Sequence, residues 1–498
     1  MKAGSPEGQR LSALSVAVVG AVLAGIVLRV WVLLSSAAIP DADEAVWGLM
    51  AKHALDGELD VFFWGQAYGG TQETFLTAGV VAVAGPSLLA LRIVPMALYA
   101  VAAVLTWRIG IRTVGEPYAR LAAVIVWVWP AYAVWKSTRV HGFYGSAIVL
   151  GLLAVLLALR LRERDSKLDA ALIGLVCGLG WWATSQVAIL ALPAVAWLVW
   201  RRSAVLRLWW LTAPAAVLGA LPALVANVQN DWYSFVVGER QTTPLIQLKN
   251  LFVTNLPAAL GLRRPFSLEW VPHAAIGGTA YALALAGFVF LLVRRRQRLE
   301  PLLLTALVLP LFYALSPYAS LNTEPRYLFL LVPVLALLLV AMVPSCRAAL
   351  VVTGAALAFS IAGVAELDAQ DVAVSFVRGD RVPGDLEPLV ALLDRQGVDH
   401  VFTNYWIAWR ITYETDEKIL AVESGTGKHR LVKARVAPVF GDPGRYPPFY
   451  REVIASRDAA YVFIEQSSRD LRLRTLLGAS GYQRATAGGF LVFLPPTP

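Results

Sequence analysis

"PDADEAVWGLMAKHALDGE" (residues 40–58) follows directly on an apolar run long enough to cross a bilayer, and it places Asp41, Asp43 and Glu44 within four positions. An ionised acid at a membrane edge is costly unless it is paired or used. What surrounds these carboxylates therefore decides how they are read.

The chain has 498 residues, 58% hydrophobic and 15% charged, with a mean hydropathy of +0.61. Soluble domains carry about 25% charged residues, so this composition belongs to an integral membrane protein. A helix needs about 20 apolar residues to cross the hydrocarbon. Such runs lie near 12–36, 88–107, 119–135, 143–160, 208–226, 274–293, 301–317, 325–343 and 347–364, and 168–200 is long enough to cross twice with a break at "ATSQ" (183–186). Eleven spans are expected. No small-residue cleavage site precedes Pro40, so the first run reads as an uncleaved helix.

Lys and Arg cluster in alternate loops (Arg108, Arg112 and Arg120; Arg160 to Lys167; Arg201 to Arg207; Arg294 to Arg298). The positive-inside rule puts those loops and the N-terminus in the cytoplasm. The acidic loop, and everything after residue 365, then faces outward. The net charge of +9 carries no nucleic-acid signature, because residues 365–498 hold 17 acids and 16 bases and the excess lies in the spans' loops. Two cysteines, Cys177 and Cys346, supply neither a disulfide scaffold nor a Cys metal site.

Two domains are expected: a transmembrane module over 1–364, with outward loops 37–87 and 227–273, and a hydrophilic tail over 365–498. In the tail, "DHVF", "AAYVFI" and "GFLVFL" read as strands, and "LEPLVALLDRQG" and "SSRDLRLRTLLGASG" as helices. This is the pattern of a small α/β domain.

Residues 42–56 predict a helix ended by Gly57, with Val46, Trp47, Leu49, Met50 and Ala54 as an apolar face for the bilayer surface. One reading of the acids is structural: Asp41 as N-cap, Asp43 in the positive first turn, Glu44 closing a capping box. Against it, one cap needs one acid, and the adjacent Asp43 and Glu44 point in different directions.

The Asp-Glu pair, "LDGE", the aromatic and Gly-rich "FFWGQAYGGTQE" and "LLALRIVPMAL" resemble the membrane-embedded GT-C glycosyltransferases. Among them the chain is most similar to the bacterial protein-mannosyltransferase and aminoarabinose-transferase group, glycosyltransferase family 39-like. The specific part covers roughly residues 29–145; "EPRYLFLLVPVLALLL" (324–339) and "NYWIAWRITYETDEKI" (404–419) also look like segments of these enzymes. The resemblance implies a GT-C-like multispan fold with an extracytoplasmic C-terminal domain in a bacterial plasma membrane. It implies transfer of a sugar from a polyprenyl-phosphate donor to a glycan, lipid or protein acceptor on the outer face. Asp43 matches the family's catalytic acid, with Glu44 as its neighbour. A positioned base contributes on the order of 10² to 10⁴ in rate.

Arg139 in "WKSTRVHGFYG" matches an Arg that helps bind the donor phosphate, a task suited to its planar fork. Interfacial snorkelling by Lys136 and Arg139 is the plain alternative. Where relatives often carry a second acid after this Arg, the chain has His141, Gly142 and Tyr144, a departure that tells against a metal bridged between two loops. No cofactor is assigned; a divalent cation stays open. Arg326, Tyr327 and Arg240 are further phosphate or sugar candidates, and Gln66, Tyr68 and Gln72 offer hydrogen bonds to sugar hydroxyls; each is equally an interfacial or loop residue. "ESGTGKHR" (423–430) lacks the spacing of a phosphate loop, and the five histidines show no ligand spacing. Two other classes remain: a carrier or flippase of a lipid-linked or small solute, and a non-catalytic cell-wall scaffold. The predicted spans are nearly free of mid-membrane ionisable groups, which tells against a proton-coupled carrier.

Overall fold

The structure is a computed structural model that describes residues 6–236, 242–264, 267–271, 273–294, 297–317, 319, 325–369, 376–377, 380–423 and 445–496. It divides into two compact units.

The first unit comprises Met1–Ser35, Arg92–Arg139 and Phe143–Gln370. It is helical, as hydrocarbon demands, because a helix satisfies its own backbone groups. Each of the eleven apolar runs is helical. Among the described residues, seven helices are long and apolar enough to cross a membrane: Ser15–Leu34, Leu88–Thr113, Tyr144–Glu163, Ser203–Gln229, Ala274–Arg294, Gln297–Leu315 and Cys346–Leu367. The other four runs give shorter helices, Glu116–Val128, Lys167–Ala183, Ala188–Arg201 and Val332–Ala341. At "ATSQ" the Thr184 hydroxyl accepts from Gln186 N (3.3 Å) and starts a 3-10 turn, Ser185–Val187, which separates two of them.

The Lys167–Ala183 and Trp209–Gln229 helices approach through small residues. A Cβ on Gly174 or Gly178 would fall 2.0 or 2.1 Å from the carbonyl oxygen of Thr212 or Ala216. Glycines four apart thus let two apolar helices meet backbone to backbone, where lipid offers no competing hydrophobic drive.

The second unit comprises Ser36–Leu91, Val140–Gly142 and Asp371–Pro498. Its five-stranded sheet runs in the order Leu420–Glu423, His400–Thr403, Ala460–Ile464, Phe490–Leu494, Gln483–Ala487. The first two pairings are parallel and the last two antiparallel. The Phe490–Leu494 strand is buried on both faces. Phe490, Val492 and Leu494 join a core with Leu389, Leu393, Ile407 and Ile411, while Leu491 and Phe493 pack with Leu473 and Leu477.

In this unit the acidic stretch forms the Ala42–Leu55 helix. The expected bilayer-facing side does not face a bilayer: Val46, Trp47, Leu49 and Met50 are buried, and the helix packs on the Tyr405–Glu414 and Gln72–Ala84 helices. Gly48 permits this crossing, since a Cβ there would lie 2.4 Å from the Tyr413 ring.

Candidate active site

The first turn of the Ala42–Leu55 helix sends its three acids to three different places. Asp41 is the N-cap, accepting from Glu44 N at 2.8 Å. Glu44 turns inward, is fully buried, and accepts from Val140 N at 3.3 Å. Beside that contact Gly142, at φ +73°, lies so close to the Trp47 indole that a Cβ would sit 2.2 Å from it. Asp43 is left facing outward from the helix, with its side chain 39% exposed.

Two residues of the C-terminal chain meet Asp43. The Tyr405 hydroxyl donates to Asp43 Oδ1, and Arg445 Nη2 lies 3.7 Å from the same oxygen. Asp43 Oδ2 has no protein partner among the described residues. Burial, and then the negative charge of Asp43, push the Tyr405 hydroxyl well above the usual tyrosine range, so it remains a proton donor. The Arg445 guanidinium sits 4.6 Å from the Phe63 ring centroid and 4.7 Å from that of Tyr405, and its Nη1 donates to Trp64 O (3.3 Å).

The loop supplying Phe63 and Trp64 is closed on itself. Phe62 bridges Gly70, Phe63 N donates to Gly69 O at 2.9 Å, and Thr71 Oγ1 donates to Asp60 O at 2.5 Å. Gly65 has φ +67°, and a Cβ on it would come 2.8 Å from Arg445 Cα. Only glycine meets both demands without strain. Gln66 is half-buried in this loop, Tyr68 is exposed, and Gln72 begins the Gln72–Ala84 helix half-buried. His141, half-buried, follows Val140 in the same unit.

The cations expected to hold phosphate lie in the other unit. Arg139 is 2% exposed, with its guanidinium 5.3 Å from the Trp135 ring centroid. Lys136 is also buried, its Nζ 4.5 Å from the Tyr144 ring centroid. Tyr144 in turn meets Phe329 edge-on, and Phe329 belongs to the Arg326–Leu331 turn, where Arg326 and Tyr327 are half-buried. Contacts within this unit thus join Lys136 and Tyr144 to the turn that carries Arg326 and Tyr327. Arg240 lies outside the described residues, as does most of "ESGTGKHR".

No protein-family model matches the chain, and no curated protein matches it. Solved structures do. ArnT from Cupriavidus metallidurans in the apo state superposes with a TM-score of 0.65 at 12% identity, over 97% of this chain and 98% of that one. The same protein bound to undecaprenyl phosphate gives 0.64 at 12%, over 96% and 97%. The oligosaccharyltransferase of Archaeoglobus fulgidus in complex with Zn and sulfate gives 0.52 at 13%, over 81% of this chain and 62% of that one. The chain has the GT-C fold. It is a multi-pass membrane protein.

Two residues that meet Asp43 escaped the sequence reading. Tyr405 lies in "NYWIAWRITYETDEKI", a stretch already singled out as a whole, but nothing in its spacing points to residue 43. Arg445 carries no local signal at all; it is found only by the fold that brings it to the first loop.

Proposed function

We propose that this protein is a glycosyltransferase that moves a sugar from a polyprenyl-phosphate donor to a glycan, lipid or protein acceptor at the outer membrane face. The single observation that carries this reading is Asp43: an acid of the first loop, engaged on Oδ1 and without a protein partner on Oδ2 among the described residues, in a chain with the GT-C fold. The ArnT structure bound to undecaprenyl phosphate supports a lipid-phosphate donor.

In the proposed reaction Asp43 Oδ2 takes the proton of the acceptor hydroxyl as that oxygen bonds to the anomeric carbon. The bond from that carbon to the lipid phosphate breaks, and the electron pair leaves with the phosphate. Lipid phosphate is a good leaving group, so one base plus cations suffice. Arg139 and Arg326, with Arg240 as a further candidate, are assigned to the phosphate. Gln66, Tyr68, Gln72, His141, Tyr144 and Tyr327 are assigned to sugar and acceptor hydroxyls. The catalytic module is taken as 1–364 and the extracytoplasmic domain as 365–498, in a bacterial plasma membrane with the N-terminus cytoplasmic.

The test is turnover by purified full-length protein on a panel of polyprenyl-phosphate sugars, read by mass spectrometry as free polyprenyl phosphate. Asp43→Asn keeps the shape and is expected to lower turnover by about 10² or more with folding intact, and Glu44→Gln to lower it less. A folded Asp43→Asn protein that keeps more than about a tenth of wild-type turnover contradicts the general base. A carrier or scaffold would release no polyprenyl phosphate.

A further inference from the structure

A general base works only if its carboxylate is held at a fixed angle, and the residues that hold Asp43 lie in the C-terminal chain. We propose that Tyr405, backed by Arg445, is a positioning residue: its phenol fixes Asp43 Oδ1 so that Oδ2 is the oxygen presented to the acceptor. This rests on the reading of Asp43 as the base, and it makes the Tyr405–Glu414 helix and the Arg445 turn parts of the catalytic arrangement.

Three features of the geometry support it. The phenol bonds one carboxylate oxygen and leaves the other without a protein partner among the described residues. Tyr405 is held from two sides, by the Arg445 guanidinium 4.7 Å from its ring centroid and by Trp406 packed edge-on at 5.1 Å. Arg445 is seated by Trp64 O and Phe63 on a loop that Gly65 lets approach its backbone. A phenol that donates to one carboxylate oxygen, with a cation beyond it, restricts the rotation of that carboxylate and leaves its other oxygen turned to the acceptor. Because the Tyr405 hydroxyl is held far above neutrality, it keeps donating throughout.

The experiment separates kcat from KM for full-length protein in lipid nanodiscs, with whichever donor and acceptor of the panel turn over. Because the phenol aims the base and does not bind substrate, Tyr405→Phe is expected to lower kcat per folded molecule by about tenfold with KM nearly unchanged, a smaller loss than that of Asp43→Asn. A role in folding alone would lower the amount of folded protein and leave kcat per folded molecule unchanged. Arg445→Gln keeps the phenol and is expected to lower kcat the same way by less, which covers a Tyr405→Phe protein that fails to fold. If Asp43→Asn is inactive while neither variant lowers kcat per folded molecule, the positioning role is overturned and the base stands. If Asp43→Asn is active, or no donor turns over, both fall together.

Discussion

Glu417 offers a perturbation whose size can be worked from the structure. It ends the Tyr405–Glu414 segment in a turn where Asp416 and Glu417 both adopt left-handed backbone, φ +55° and +64°, a conformation that costs an ordinary residue roughly 1–2 kcal/mol. Two cations from the last turn of the Ala42–Leu55 helix converge on it: Lys52 Nζ at 3.0 Å and His53 Nε2 at 3.2 Å. His53 Nδ1 also meets Glu58 at 2.8 Å.

With Glu417 a quarter exposed, a charge-assisted contact here is worth about 1 kcal/mol, well under its buried value. Glu417→Gln should then weaken the helix against local opening by about 2 kcal/mol, about a 30-fold loss of amide protection. Burial pulls the His53 pKa down, but its hydrogen bonds to Glu417 and Glu58 outweigh this and raise it above its ordinary 6.5. Its contribution is therefore complete below pH 6.5 and is lost as pH rises through the raised value. Glu417, lowered from 4.5 first by its bond to His53, contributes above pH 4.5 and loses that as pH falls through its lowered value. Protection should be greatest between about pH 4.5 and 6.5 and decline above. Hydrogen exchange of peptides covering 45–55, corrected for intrinsic rates at each pH, reads both effects. Equal protection in wild type and Glu417→Gln, or a flat wild-type profile above pH 6.5, refutes the reasoning.

The buried Arg139 should matter through its fork as well as its charge. Arg139→Ala is expected to weaken undecaprenyl phosphate binding by about 10- to 100-fold, and Arg139→Lys to recover only part of it; unchanged affinity in both would move the phosphate to Arg326 or Arg240. Reporter fusions after residue 365 should report an exported C-terminal chain, and a cytoplasmic signal there would reverse the orientation and displace the site with it.

The apolar helices were legible because a single property, a long apolar run, decides them, although four of the eleven runs give helices shorter than a full span, and even the Thr184 break is visible as a polar interruption. The tail's strands at 400–403, 460–464 and 490–494 were legible for the same reason, as runs of β-branched and aromatic residues. Gln483–Ala487 was not: it is a polar edge strand whose existence depends on the neighbour it pairs with. The cap at Asp41 could be read from local chemistry. The destination of Glu44 could not, because nothing in the local sequence shows that its carboxylate is buried and accepts from Val140 N, 96 residues away. The apolar side of the same helix could be recognised but not its partner, since a buried tertiary face and a membrane-surface face have the same periodicity.

The bond between Asp43 and Tyr405 joins positions 362 residues apart. At about 5–20 residues per second, the acid is made roughly 20 to 70 s before its phenol exists. Through that interval the growing chain carries the Asp43 carboxylate without its hydrogen-bond partner. Any product cut short before residue 405 displays the carboxylate on its first loop and nothing to set its angle, however well its spans insert. If Asp43 is the base and Tyr405 its positioning residue, as proposed, completion of the polypeptide is itself the arming step, and an unfinished chain in the membrane is poorly equipped to transfer sugar.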